Sequence, residues 1–319
     1  MLKTDLKKFK FDTKKNTPLI AVGLGEVLFD VVDGMANLGG APANFAFHCA
    51  QAGLKAQAVS AVGQDELGAR ALEELGSLGK GVISNNYKTG TVQAQIDKEG
   101  KASYNFAEDC AFDHLSLSDE HRALAKEASL VCFGTLCQRT KQSREAIREF
   151  LSLTHNALRI FDVNLRGQYY SQDLVLSSLP FCEVLKLNED ELPIICKMLE
   201  CDIQSKALYD KLVKVYGLQG LIYTTGESGS EIFWGEEHSI SPAYKIKIVD
   251  TIGAGDSFSA AFGASILKGQ SLAQAHSNAN KVSAFVCTKR GAIPQWNCDL
   301  KELFQSKNKV FSSKIPHGY

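Results

Sequence analysis

From Leu130 onward the chain repeats one pattern, a short apolar run that ends in polar residues or glycine and is followed by residues of helical period. Leu130 to Phe133, Leu158 to Val163, Val184 to Leu187 and Gly220 to Tyr223 read as strands, and Ser143 to Thr154 reads as a helix between the first two. Alternation of this kind predicts parallel βαβ units and an α/β class of fold. Ligands of such sheets gather at the carboxyl ends of the strands. Three polar clusters fall there: Asp162-x-Asn164-x-Arg166, Asn188-Glu189-Asp190-Glu191, and Thr224-Thr225-Gly226-Glu227-Ser228-Gly229.

A change of period marks the reacting centre. Ile246 and Ile248 alternate with Lys245 and Lys247, which predicts a strand from Tyr244 to Val249. Phe258, Phe262 and Ile266 then recur every four residues, so Ser257 to Lys268 reads as a helix stopped at Gly269. Between them lies Asp250-Thr251-Ile252-Gly253-Ala254-Gly255-Asp256. Its two glycines let backbone N–H groups approach an anion without Cβ obstruction, and the helix start adds partial positive charge. Asp256 at that start either caps the helix or takes a proton from an attacking hydroxyl. The second role, beside an anion site, amounts to phosphoryl transfer.

Composition narrows the partners. With 319 residues, 45% hydrophobic and 22% charged, the chain has the profile of a soluble globular protein and room for a large core. A net charge of −1 gives no reason to invoke nucleic acid or an anionic membrane, so any phosphate affinity is local. No apolar run approaches the roughly 18 residues of a membrane helix. The lysine-rich residues 1–18, broken by Asp5 and Asp12, lack the apolar segment of a secretion signal and read as a solvated arm before a domain at 19–319. Nine scattered cysteines without a C-x-x-C pair fit reduced thiols in a cytoplasm, and no histidine stands at metal spacing from Cys132 and Cys137.

In the amino-terminal half, Leu19 to Val22 reads as the first strand, followed by Gly23-Leu24-Gly25-Glu26 and an apolar run from Val27 to Val32 that contains Asp30. Gly23-x-Gly25 lacks a third glycine and a following helix, so it is no dinucleotide fingerprint, and the chain has no G-x-x-x-x-G-K-[ST] phosphate loop. Asp30 is costly to bury unless it accepts hydrogen bonds, which sugar hydroxyls would supply. Gly39-Gly40-Ala41-Pro42-Ala43-Asn44 is a glycine turn entering a helix with proline in its first turn. Val92, Ala94 and Ile96 alternate with polar residues, and a turn at Lys98 to Lys101 precedes Ser103 to Phe106, which predicts a hairpin.

These stretches, in this order, resemble the PfkB family of ribokinase-like carbohydrate kinases, and fructokinases of bacteria most of all. D-T-x-G-A-G-D is similar to the family's second signature, Gly-Gly with Asn44 to its first, Val62-Gly63-x-Asp65-x-x-Gly68 to its V-G-x-D-x-x-G, and F-D-V-N-L-R to the D-P-N-L-R of fructokinases and 2-keto-3-deoxygluconate kinases, with Val163 in place of proline. The resemblance implies a three-layer α/β sandwich with a mostly parallel sheet and a small β lid drawn from about 24–34 and 89–112. It implies Asp256 as base and the amides of Gly253, Ala254 and Gly255 as the hole for the transferred phosphoryl.

On the same basis Asp30, Gly39, Gly40, Asn44, Asn164 and Arg166 meet the sugar, with Phe106 or Phe112 lining the lid. Arg166 would pair with phosphate or a substrate carboxylate, or merely neutralise Asp162. Lys186, Asn188, Thr225, Gly226, Gly229 and Asn280 would border ATP, and Glu191 would meet Mg²⁺ through water. Carbonyls around Asp250, Ile252 and Gly291 would hold a monovalent cation such as K⁺. Fructose is the first substrate and 2-keto-3-deoxygluconate the second. A silent sugar-binding regulator is the non-enzymatic alternative, and a homodimer through the lid is implied by the family alone.

Overall fold

The computed structural model describes residues 18–32, 34–96 and 102–305. The arm expected over the first residues and the hairpin turn at Lys98 to Lys101 lie outside the described residues. In chain order the elements are β1 (Ile20–Leu24), β2 (Leu28–Val32), β3 (Met35–Gly39), α1 (Ala41–Gln51), β4 (Lys55–Gly63), α2 (Glu66–Leu75), β5 (Gly81–Asn85), β6 (Gly90–Ile96), β7 (Ala102–Phe106) and α3 (Asp119–Glu127). They continue with β8 (Leu130–Phe133), α4 (Lys141–Leu153), β9 (Leu158–Asp162), α5 (Gln172–Ser178), β10 (Val184–Asn188), α6 (Glu191–Leu199), α7 (Ser205–Tyr216), β11 (Gly220–Thr224), β12 (Ser230–Trp234), β13 (Glu237–Ser241), α8 (Ala254–Leu267), α9 (Leu272–Cys287) and α10 (Cys298–Glu302).

Nine strands form one sheet in the order β13-β12-β11-β10-β9-β8-β1-β4-β5, and the other four form a second sheet, β3-β2-β6-β7. Every pairing from β5 to β11 in the large sheet is parallel. Successive side chains on these strands go to opposite faces, and both faces are covered. Leu130 and Ile160 join Phe45, Phe258 and Phe262 in one apolar layer, whereas Val131, Phe133 and Phe161 join Phe150 and Ile195 in the other. The fold is an α/β sandwich of three layers. The small sheet is tied on through Phe29, which packs with Ala43, Val62 and Leu75.

Two departures from the sequence reading concern the edges. Tyr244 to Val249 is not a strand: the residues after β13 run free of the sheet, and Tyr244, Ile248 and Val249 are 45%, 47% and 51% exposed. Pro242, directly after β13, has no N–H to donate and interrupts the extended pairing, and the alternating isoleucines beyond it pair with no strand of the sheet. The edge instead belongs to an antiparallel hairpin, β12 and β13, that the strand-helix alternation did not reveal. The small sheet also includes Met35–Gly39, beyond the residues 24–34 expected for it.

Candidate active site

The carboxyl ends of β1, β9, β10 and β11 and the amino ends of α1 and α8 meet at one edge of the large sheet. β1 lies at the switch point of that sheet, with β4 on one side and β8 on the other, the position where α/β sheets open a crevice. α1 approaches very closely there: a Cβ on Gly23 would stand 1.8 Å from the Pro42 carbonyl oxygen. Gly40, at φ 106°, begins the helix, and a Cβ on it would meet the Glu26 carbonyl oxygen at 2.4 Å. Gly23 is therefore required by the contact between α1 and β1, and Gly40 by its own φ and the Glu26 carbonyl, before any ligand is considered.

One turn into α1, the buried Asn44 donates from Nδ2 to Asp256 Oδ2 at 2.8 Å. Asp256 sits in the first turn of α8 after Gly253, which takes the left-handed φ of 75°. Beneath them Asp162 and Lys186 face each other in register on β9 and β10. Lys186 Nζ is 3.0 and 2.8 Å from the two Asp162 oxygens, and Ser259 Oγ donates to Asp162 Oδ2 at 3.3 Å. A Cβ on Gly255 would stand 2.9 Å from Lys186 Nζ, so the ammonium lies directly under the anion turn.

These charges set the state of the base. Burial, then the Asp162 charge, pushes the Asp256 carboxyl up, while the Asn44 bond, Lys186 and Arg166 pull it back, leaving it at about 6. Burial opposes the Lys186 charge, but Asp162, and more weakly Glu191 and Asp256, more than offset it and hold the ammonium above its usual range. Arg166 is exposed and forms no ion pair among the described residues. Asp162 is neutralised by Lys186, so the idea that Arg166 serves only that purpose is corrected.

On the opposite wall Asn37, Asp30, Val92 and Phe106 stand in register across the small sheet and so share one face. Burial raises the Asp30 carboxyl, Arg166 lowers it and Asp250 adds to the rise, which brings this face against the same cleft. A Cβ on Gly39 would meet Asp30 Oδ2 at 2.5 Å. Phe106 packs edge-on to Tyr169 at 5.6 Å. Phe112, in contrast, is core: it is 1% exposed and underlies Gly90. Asn164 takes a left-handed φ of 40° where the chain leaves β9.

The remaining positions divide between open and committed groups. Asn188 Oδ1 accepts from the Glu191 amide, and the Glu191 oxygens accept from the amides of Leu165 and Asn188 at 2.8 and 2.9 Å. Burial and Asp162 raise Glu191. After β11, Thr225 closes a turn on the Gly229 carbonyl, with Gly226 and Gly229 at φ 48° and 114°. Asn280 is buried on α9: its Oδ1 accepts from Ser230 Oγ at 2.9 Å, and its Nδ2 has no partner among the described residues. Asp250 links two loops, accepting from the amides of Ile252 and Gly291 at 3.0 Å each. Asp65 caps α2 and also receives the Thr89 amide and hydroxyl, so the V-G-x-D-x-x-G run is a clamp between α2 and β6.

One group and one pairing escaped the sequence reading. Glu26, 4% exposed, has an Oε2 atom without a partner among the described residues, and burial with the Asp256 charge pushes it to about 7 against its own backbone amide and Arg166. Its signal was a glutamate directly after the first strand. Asp162 and Lys186 each stand near the carboxyl end of an apolar strand, but only their register reveals the pair.

A carboxylate poised near neutrality beside an anion turn is the core of a phosphotransferase that acts on an alcohol. The pfkB family carbohydrate kinase model matches residues 12–298, and the chain belongs to that family. An uncharacterized sugar kinase of Pyrococcus horikoshii is 31% identical over 277 residues, 83% of this chain and 84% of that protein. Its crystal structure in complex with ATP superposes with a TM-score of 0.74, covering 86% of this chain and 94% of that one at 27% identity. Fructokinase-1 of Zea mays is 28% identical over 308 residues, 86% of this chain and 94% of that protein. The structure of 2-dehydro-3-deoxygluconokinase from Thermotoga maritima shares the fold, with a TM-score of 0.75 at 20% identity over 89% of this chain and 98% of that one.

Proposed function

We propose that this carbohydrate kinase transfers the γ-phosphoryl group of ATP to the 6-hydroxyl of fructose. The observation that carries the reading is the Asp256 carboxylate, held at about 6 and bonded through Oδ2 to Asn44. A base of that strength is mostly ionised at neutral pH yet close enough to accept a proton. Oδ1 then takes the hydroxyl proton as the sugar oxygen forms its bond to the γ-phosphorus and the bridging bond to ADP breaks. The amides of Gly253, Ala254 and Gly255 receive the phosphoryl charge at the start of α8.

Asp30, Gly39, Gly40, Asn44 and Asn164 orient the sugar, Phe106 lines its apolar side, and the small sheet acts as a lid that excludes water. Arg166 fixes the far end of the substrate. Lys186, Asn188, Thr225, Gly226, Gly229 and Asn280 border the nucleotide, in keeping with the ATP bound by the Pyrococcus horikoshii kinase. Among the described residues no cluster of three or more His, Cys, Asp or Glu side chains is suited to a metal ion. Mg²⁺ bound with the nucleotide would supply neutralisation of the phosphate charge. The Glu191 oxygens, each with a second lone pair beyond its amide bond, suit contact through metal-bound water. Carbonyls of Asp250, Ile252 and Gly291, in the loops that the Asp250 side chain ties together, would hold a cation such as K⁺.

Fructose rests on fructokinase relatives such as that of maize and on the resemblance of the run through Arg166. Arg166, exposed and without an ion-pair partner among the described residues, favours a second reading, a keto-acid sugar whose carboxylate it would clamp. Nine free cysteines suit a reducing cytoplasm, and a homodimer through the lid is testable by sedimentation, where a one-chain mass removes it. The test of the activity is ADP release with Mg-ATP against fructose, ribose, 2-keto-3-deoxygluconate, tagatose, glucose and adenosine. Turnover on fructose alone supports the first reading and preference for the keto acid the second. Silence on every sugar, with sugar still bound, returns the regulator.

A further inference from the structure

The anion turn has a backing that belongs to neither substrate site. A Cβ on Gly253 would stand 2.5 Å from the Ala292 carbonyl oxygen and 2.7 Å from the Ala292 Cα and Cβ, so the turn is seated on that residue. The same carbonyl oxygen lies 2.9 Å from His48 Nε2. On the other side of the ring Trp296 Nε1 donates to His48 Nδ1 at 3.0 Å. An indole N–H only donates, so Nδ1 must be the acceptor and Nε2 must carry the hydrogen given to Ala292. The tautomer is thereby fixed by its two partners.

His48 is fully buried, and its ring stacks on Trp296 at 5.8 Å and 21°. It follows Asn44 by four residues on α1, so the two side chains leave one face of the helix a turn apart. Gln51 continues the stripe, donating to the Pro294 carbonyl at 3.0 Å and accepting from the Trp296 amide at 2.8 Å. One face of α1 thus holds the base through Asn44, the support of the anion turn through His48, and the chain beyond that support through Gln51. None of these spacings requires His48 to touch sugar or nucleotide.

We propose that His48 is a positioning residue for phosphoryl transfer, holding the Ala292 carbonyl on which the Gly253 to Gly255 turn is seated and so fixing where the turn's amides point. The proposal rests on the reading of that turn as the site of the transferred phosphoryl. Misplacing stabilising amides costs rate more than ground-state binding. A purely structural histidine would cost stability and leave the turnover of folded enzyme unchanged.

The experiment compares wild type with His48→Phe, His48→Gln, Trp296→Phe and Asp256→Asn, using the sugar that the wild type phosphorylates. Thermal unfolding locates the temperature at which each is folded. His48→Phe is expected to lower kcat at least about tenfold with KM for sugar and ATP changed less than about threefold, the pattern of misplaced catalytic groups. His48→Gln, which can still donate to Ala292, is expected to recover most of the loss. Trp296→Phe, which leaves the bond to Ala292 in place, is expected to lose less than His48→Phe. If His48→Phe fails to fold, Trp296→Phe carries the test: a kcat loss of at least about threefold in folded enzyme with KM little changed supports the proposal, and wild-type kcat overturns it. Wild-type kcat in folded His48→Phe, or a loss confined to KM, overturns the proposal. Activity retained by Asp256→Asn, or a wild type that phosphorylates no sugar, overturns the transfer-site reading and the proposal with it, so the two failures are told apart.

Discussion

The two walls of the cleft are finished to different degrees. On the large-sheet wall Asp162 is held by Lys186 and Ser259, Glu191 by two amides, and Asp256 by Asn44. On the small-sheet wall Asp30 is only partly buried and forms no ion pair among the described residues, and neither does the exposed Arg166 that acts on it from the loop after β9. The first wall carries the groups that the reaction needs in one arrangement whatever the sugar, and a low-dielectric setting rewards fixing them in advance. The second carries groups whose partners arrive with the substrate. Chemistry is prebuilt on one side, and recognition is left open on the other.

The contrast predicts where damage falls. Lys186→Met leaves the Asp162 charge buried and unpaired, and breaking such a pair costs about 3–5 kcal/mol. Both side chains are 7% exposed, so little screening intervenes. Urea unfolding followed by circular dichroism measures it, and a loss below about 1 kcal/mol would mean that this wall is wetter than its burial indicates. Next in size, Asp256→Asn is expected to keep the fold and sugar binding while kcat falls at least about 100-fold. In the wild type the base must be ionised, so kcat/KM is expected to fall as pH drops through about 6, well above the ordinary aspartate range. An acid limb near pH 4 would detach Asp256 from its buried neighbours.

Much of this arrangement was legible because it is local. The run from Asp250 to Asp256 and the Gly-Gly before Asn44 announce themselves by glycine spacing, and α1 and α8 begin close to where those signals predict. What stayed hidden depends on register. Asp162 and Lys186 are 24 residues apart and meet only because β9 and β10 align them. His48 looks like any histidine on a helix until Ala292, 244 residues away, is brought to its ring. The misread strand at Tyr244 to Val249 has the same cause. Alternation describes a face, and a face is buried only when another strand is there to pair.

A smaller effect tests the open wall. Arg166→Ala is expected to lower kcat/KM for 2-keto-3-deoxygluconate at least about tenfold, the worth of a charge-assisted bond, and for fructose less than about threefold. Equal losses on both would assign Arg166 to the phosphoryl groups and so to the chemistry wall.

The exception to the comparison is Glu26, the one carboxylate of the finished wall that retains a buried oxygen without a described partner. In the unfolded chain its carboxyl ionises near 4.5, whereas burial holds it at about 7 in the fold. Between those values the folded state keeps a proton that the unfolded state has released, so stability declines as pH rises through the window and the full cost is present above about 7. Glu26→Gln carries no such charge. Its unfolding free energy is therefore expected to gain on the wild type by roughly 3 kcal/mol between pH 4.5 and 7.5, as a carboxyl raised from 4.5 to about 7 implies at about 1.4 kcal/mol per pH unit. Denaturant titrations at the two pH values measure the gap. A gap that does not change with pH would mean that Glu26 finds a partner in solution, and the large-sheet wall would then be saturated without exception.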